Sequence, residues 1–280
     1  MGRDARPTRR LRPVAVVGLA LTALLVLVAV FADQIAPSDP FSFVGQPFEP
    51  PSSGHWLGTD DLGRDVFSGI VHGARTSLVV GVVVAGASLV IGTVVGGLAG
   101  FIGGWVDDVL MRFTELVQVM PRFFLALMVV ALFGPGLPNL IAVLALTSWE
   151  VTARVARAGV LAVKELDYVL AARALGASSW RNLRLHALPN AFAPVVALAA
   201  LQVGGAILIE AGLSFLGLGD PNVISWGYML NNAQAFVRHA WWMSLFPGAA
   251  VALAVLGVNL LGDALNDRWN PRSPTRLGPR

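Results

Sequence analysis

Hydrophobic and polar positions in this chain segregate into long blocks. Pro13–Phe31 runs nineteen residues without a charge, and Ser77–Phe101 runs twenty-five. Leu140–Gly159, Ala191–Leu213 and about Ser244–Leu261 are further apolar blocks. A helix that crosses a bilayer needs ~20 such residues, so each reads as a span. One more is ambiguous. Phe123–Phe133 is apolar but short, and extending it back to about Val109 brings in Arg112, Glu115, Gln118 and Arg122 on one helical face. That stripe either faces protein or a wet cavity, or belongs to an amphipathic segment leading into a kink at Pro121. Six spans result, an all-α integral membrane fold.

The polar stretches carry the punctuation. Residues 32–76 are rich in Pro and Gly and hold six acids. Asp60, Asp61 and Asp65 match no standard calcium loop, so they read as solvated residues where a helix begins. Gly134-Pro135-Gly136 makes a tight turn. Gly92, Gly96, Gly100 and Gly104 recur every four residues, a stripe that permits close helix contact with this chain or another. Glu150 stands four residues before Arg154, the spacing of a helical ion pair. Trp226, Trp241 and Trp242 suit a membrane-interface belt. Glu210 is the clear acid within an apolar block, a candidate pore or gate group.

Asp167–Asn190 is the most polar run between apolar blocks. Tyr168, Ala171, Ala172 and Leu175 fall at i, i+3, i+4 and i+7, an apolar face with small residues at its centre. Gly176 follows as a residue able to take positive φ, Ser178 can cap a second short helix, and Pro189 limits it. The pattern is a helical hairpin.

Composition fixes the class. At 55% hydrophobic, 13% charged and a mean hydropathy of +0.68, the chain is too apolar for a soluble domain. It has no cysteine, so neither disulfides nor thiolate metal sites arise. The net charge of +3 matters less than its placement. Of twenty basic residues, only Arg64, Arg75 and Arg238 fall in the segments 32–76, 134–139 and 214–243. The positive-inside rule therefore puts both termini and the hairpin on the cytoplasmic side. Five arginines precede the first apolar block, which is too long for a signal-peptide core and reads as an uncleaved span. The basic balance points to a membrane surface, not to nucleic acid. No GxxxxGK[ST], HExxH or GxSxG motif occurs, and the four histidines form no ligand cluster. An intramembrane enzyme finds little support on these grounds; a secondary transporter, which needs buried ionisable groups and often two similar halves, remains the alternative.

The hairpin also carries a resemblance. Ala171-Ala172, three residues, Gly176, nine residues, then a position before Ala187-Leu188-Pro189 is similar to the EAA loop of the permease subunits of binding-protein-dependent ABC importers. Tyr168 to Gly176 with His186 and Leu188-Pro189-Asn190 resembles the dipeptide/oligopeptide branch, as do Gly58–Asp65, Gly73–Leu78, Glu210–Gly219, Ser225-Trp226-Gly227 and Asn259–Asp263. Leu170 stands where the family usually has glutamate. The resemblance implies a type I importer-like fold in the cytoplasmic (inner) membrane. It implies a second permease, two ATPase subunits that bind the ATP, and an extracytoplasmic substrate-binding protein; no cofactor or metal belongs to this chain. Asp167, Tyr168, Ala171, Ala172, Arg173, Gly176, His186, Leu188 and Pro189 would form the ATPase-coupling loop. The expected substrate is a di- or oligopeptide, with glutathione or nickel complexes as alternatives. The expected layout is a basic tail over 1–12, a first span over 13–31, an extracytoplasmic segment over 32–76, a five-helix core over 77–262 containing the 159–190 hairpin, and a tail over 263–280.

The charge asymmetry sets a first prediction. Single cysteines placed at Ser53 and Asn232 should label from outside intact cells, and one at Ser179 only after the membrane is opened. Labelling at Ser179 in intact cells would invert the topology.

Overall fold

The structure, a computed structural model, describes residues 13–174 and 188–269. In chain order the helices are α1 (Pro13–Val30), α2 (Ala32–Ile35), α3 (Val66–Ile102), α4 (Gly104–Val119), α5 (Arg122–Phe133), α6 (Leu137–Thr147), α7 (Trp149–Lys164), α8 (Asp167–Ala174), α9 (Leu188–Phe215), α10 (Trp226–Ala233) and α11 (Trp242–Trp269). Among the described residues the only β-structure is two isolated bridges. By themselves α1, α3, α9 and α11 are long and apolar enough to cross a membrane. On α1 only Gly18 and Ala29 are buried, while Leu19, Leu24, Leu27 and Val30 face outward. That is the outer surface of a protein whose solvent is hydrocarbon.

Two expected spans differ from the helices found. The block expected over 77–101 begins at Val66, because Asp65 caps it: its carboxylate accepts from the Ser68 amide at 2.8 Å and the Ser68 hydroxyl at 2.7 Å. The block expected over 140–159 is split at Ser148 into α6 and α7, of 11 and 16 residues. Neighbouring helices satisfy the carbonyl at the break. Ser148 O accepts from Ser88 of α3 at 2.8 Å and from Gln202 of α9 at 3.2 Å. Such breaks survive in an apolar interior only when side chains take up the freed backbone groups.

The ambiguous third block proves to be two helices, α4 and α5, bent by 76°. Pro121 explains the bend. It pushes Met120 out of the α region, to φ −69° and ψ 122°, and offers no amide of its own. The polar stripe is thereby divided: Arg112, Glu115 and Gln118 are exposed on α4, whereas Arg122 opens α5.

The core is assembled on α3 and α7. A Cβ placed on Gly96 would lie 1.9 Å from the Ala153 carbonyl oxygen, one on Gly92 2.4 Å from Thr152 Cβ, and one on Gly100 2.8 Å from Arg157 O. The glycine stripe therefore meets a helix of the same chain, backbone against backbone. Gly104 does not join it; nothing lies within 4 Å of its Cβ position. Around this pair, Val80, Val84, Ala126, Leu140, Leu144, Ala206 and Leu213 join α3, α5, α6 and α9 in one cluster. A second cluster, with Ala74, Leu78, Ile207, Trp226 and Val251, ties in α10 and α11.

Gly96→Ala should be destabilising by about 1–3 kcal/mol, the usual range for overpacking. Gly86→Ala, on the same helix with nothing within 4 Å, should be neutral or slightly stabilising. Thermal unfolding of the purified permease checks the contrast; equal midpoints would show that the close approach carries no energy.

Candidate functional site

The candidate coupling surface starts where α7 ends. Lys164, in its last turn, donates from Nζ to Phe101 O at 3.1 Å and so closes the end of α3. Two residues on, the chain turns into α8, with Asp167 in its first turn, where a carboxylate is favoured by the helix dipole. The buried side chain here is Val169, packed with Val160, Val163 and Phe101. Tyr168 and Ala171 lie on the exposed side. Ala172 and Arg173 continue α8, and Leu188 and Pro189 open α9. Gly176 and His186 lie outside the described residues. Val169 was not singled out from sequence, although an apolar residue beside a polar face is the ordinary signal of an anchor.

The charges inside the bundle find partners that sequence spacing did not give. Glu150 is buried and pairs with Arg122 of α5, not with Arg154 four residues on, which is exposed. Asp107 of α4 takes Arg157 of α7 in a two-point ion pair, Nε at 2.6 Å and Nη2 at 2.7 Å. Next to Glu150 in the chain, Trp149 stacks on the Phe113 ring of α4, centroids 5.9 Å apart. On the far side of α7, Thr152 Oγ1 meets Ser88 at 3.0 Å and accepts from Gln202 at 3.0 Å. One general signal existed for these pairs: a charge in an apolar block must be matched by another somewhere in the fold.

Glu210 lies at the junction of α3, α9 and α10 and is 1% exposed. Its carboxylate accepts from Ser214 at 2.7 Å and from Ser77 at 3.4 Å. Trp226 covers the junction. Its ring sits against Gly73, and its Nε1 donates to Ile70 O at 3.0 Å. Trp242 is likewise buried and donates to Thr59 O at 3.0 Å. Of the three tryptophans expected in an interface belt, only Trp241 is exposed. The other two are packed because each indole N–H has a carbonyl within the fold to satisfy.

The segment before α3 is also more ordered than its composition implied. Val44 and Gly45 donate to Gly63 O at 3.0 and 3.1 Å, and Phe48 donates to Asp60 O at 3.0 Å. Asp60, expected in solvent, accepts from the Leu62 and Arg64 amides and from Arg64 Nε at 2.6 Å. Burial works against charge on Arg64, yet the Tyr228 hydroxyl and the Asp60 carboxylate raise its pKa. Burial and the neighbouring Asp60 raise that of Asp61. No three His, Asp or Glu side chains converge as a metal site among the described residues.

A helical bundle with closely packed glycine seams, apolar outer walls and paired charges is a multi-pass membrane protein in construction. The chain belongs to the binding-protein-dependent transport system inner membrane component family, whose profile matches residues 92–273. Residues 3–51 match the N-terminal TM domain of oligopeptide transport permease C. It is thus a multi-pass inner-membrane protein. Dipeptide transport system permease protein DppC of Alkalihalophilus pseudofirmus is 37% identical over 272 residues, covering 96% of this chain and 90% of that one. DppC of Escherichia coli is 41% identical, covering 92% and 89%. Glutathione transport system permease protein GsiD of Pectobacterium atrosepticum is 39% identical, covering 92% and 87%. The fold is shared with a chain of the MetNI methionine ABC transporter in inward-facing conformations, at a TM-score of 0.59 and 18% identity, over 72% of this chain and 96% of that one.

Glu210 links α3 and α9 through Ser77 and Ser214, the geometry of an anchor between helices. Glu210→Gln keeps shape and acceptor, so assembly and uptake should stay at wild-type level. Glu210→Ala leaves a cavity and two buried hydroxyls without their acceptor, and should cost ~2–5 kcal/mol. Thermal stability and solute uptake of both variants test this. Altered uptake by a fully stable Gln variant would return Glu210 to the solute path.

Proposed function

We propose that this chain is one of two permease subunits of an ATP-driven importer for di- or oligopeptides. The observation that carries the reading is similarity along nearly the whole chain to permeases named for dipeptide transport, at 37% and 41% identity. In this reading a second permease completes the solute path, two ATPase subunits bind below, and a substrate-binding protein delivers peptide from outside. Both termini and the 159–190 hairpin are cytoplasmic, and residues 32–76 are extracytoplasmic. The charge distribution supports that orientation.

The coupling loop consists of Asp167, Tyr168, Ala171, Ala172, Arg173 and Gly176, with His186, Leu188 and Pro189 on the return. Small residues at Ala171 and Ala172 let an ATPase surface come close. ATP-driven closure of the ATPases displaces this loop, and the bundle switches the path between inward and outward access. The permease itself makes and breaks no covalent bonds. A second reading keeps the machinery and changes the solute to glutathione, favoured by GsiD at 39% identity. Both solutes are short, flexible and charged at their ends.

The test is reconstitution of the complete complex in proteoliposomes with its binding protein and ATP. A pool of di- and tripeptides and, separately, glutathione are offered, and uptake is read by mass spectrometry. Peptide uptake with no glutathione uptake is expected; the reverse favours the second reading, and neither overturns both. Gly176→Val, in a position read as positive φ, costs ~1–3 kcal/mol of backbone strain. Ala172→Arg places an unpaired charge in a packed contact. Each should lower ATPase co-purification or stimulated hydrolysis while leaving membrane insertion intact. Wild-type values for both variants would remove the loop from coupling.

A further inference from the structure

α4 lies between two bends. At its start Gly103 and Gly104 take φ of +71° and +57°, and at its end Met120–Pro121 turns the chain by 76°. Of its sixteen residues only Thr114 is buried, and that hydroxyl is bonded within the helix, to Leu110 O at 2.7 Å. Apolar burial therefore does little to place α4. α5 beyond the bend is different: Ala126 packs with Val80, Leu140 and Leu144.

α4 runs on from α3 and touches it, and three side-chain contacts tie α4 and its bend to α7. Asp107 holds Arg157 at 2.6 and 2.7 Å, Phe113 stacks on Trp149, and Arg122, the first residue past the bend, pairs with Glu150. Glu150 and Arg157 are seven residues apart, about two turns or ~10 Å along α7. The two ion pairs thus grip at two heights, one near the start of α4 and one at its bend. α7 is in turn seated on α3 by the Gly92, Gly96 and Gly100 approach, and its far end runs within two residues of α8. Glu150 is buried, so parting it from Arg122 would leave an uncompensated charge inside the bundle, whereas Arg122 and Arg157 are 33% and 35% exposed and Asp107 is largely covered. The pairs tie α4 to α7 at both heights.

We propose that Asp107–Arg157 and Arg122–Glu150 are positioning pairs for the transport step. They make α4 and its bend at Pro121 move as one body with α7, and so carry displacement of the α8 end to α4 and α5. This rests on the coupling role of α8 given above. The pairs touch neither solute nor ATP; they fix the ratio of solute moved to ATP hydrolysed.

The experiment uses the complete reconstituted complex with its binding protein, ATP and the peptide pool, and reads peptide taken up per ATP hydrolysed. Asp107→Asn and Glu150→Gln keep shape and remove one charge of each pair. Each should lower that ratio by about fivefold or more, the scale of an ordinary coupling between sites, while hydrolysis stimulated by binding protein persists. The exchange Asp107→Arg with Arg157→Asp should restore it. A lower yield of complex with an unchanged ratio would reduce the pairs to structural props and overturn the proposal, as would wild-type ratios throughout.

A second arm does not depend on the exchange folding. The chain has no cysteine, so Asp107→Cys with Arg157→Cys gives a unique pair for a short, reversible bifunctional thiol reagent. Tethering should rescue the ratio lost in the untreated double variant, and reductant should abolish the rescue. If the tether instead stops uptake, α4 and α7 separate during the cycle and the proposal fails. Should the wild-type complex take up no peptide and no glutathione, the function reading fails first, and this inference falls with it.

Discussion

Everything in this bundle depends on how closely α3 and α7 approach. At Gly96 the Ala153 carbonyl oxygen occupies the space where any other residue would carry its Cβ. In lipid no hydrophobic force favours one helix–helix contact over contact with acyl chains, so dispersion and hydrogen bonds between well-fitted surfaces must supply the preference. A glycine stripe supplies it by letting backbones touch. The seam also brings Ser88 to the broken turn at Ser148, where its hydroxyl answers a carbonyl that helix geometry leaves open. Packing and polar satisfaction are here the same contact seen from two sides.

The sequence was legible where the signal was local and periodic. Long apolar blocks gave α1, α3, α9 and α11, and Pro121 marked the bend between α4 and α5 in one of the two readings of the third block. The start of α3 was not legible: the span was expected from Ser77, and Asp65, expected in solvent, caps the helix so that it begins at Val66, well inside a stretch that composition alone marks as polar loop. Gly92, Gly96 and Gly100 announced a close contact but could not say with which helix. Nothing in spacing could reveal that Glu150 reaches Arg122, twenty-eight positions earlier, in preference to Arg154 one turn away. Helical propinquity is worth a few tenths of a kcal/mol, less than a buried carboxylate gains from a cation on a neighbouring helix that reaches it directly.

The tryptophans make the same point from the apolar side. An indole is as much at home at a membrane interface as in a core, so composition cannot separate the two. What decides is whether a carbonyl is available inside. Ile70 O and Thr59 O are, and Trp226 and Trp242 are drawn under the segments that bear them. Trp241, next in chain to Trp242, remains outside.

The distribution of contact strength along α7 fits a part that must transmit motion without breaking. Its middle is held to α3 by backbone contact, its flank to α4 and α5 by ion pairs, and its end leads into α8, where Val169 packs against Val160 and Val163. Elements that engage a partner are drawn from the less stable end of a fold, since a surface already satisfied within its own chain gains little from another. A rigid middle that leads into a separate short helix is what the proposed lever needs. A bundle packed equally tightly throughout would either stay still or move everywhere at once, and neither turns a displacement at one end into a directed change at the other.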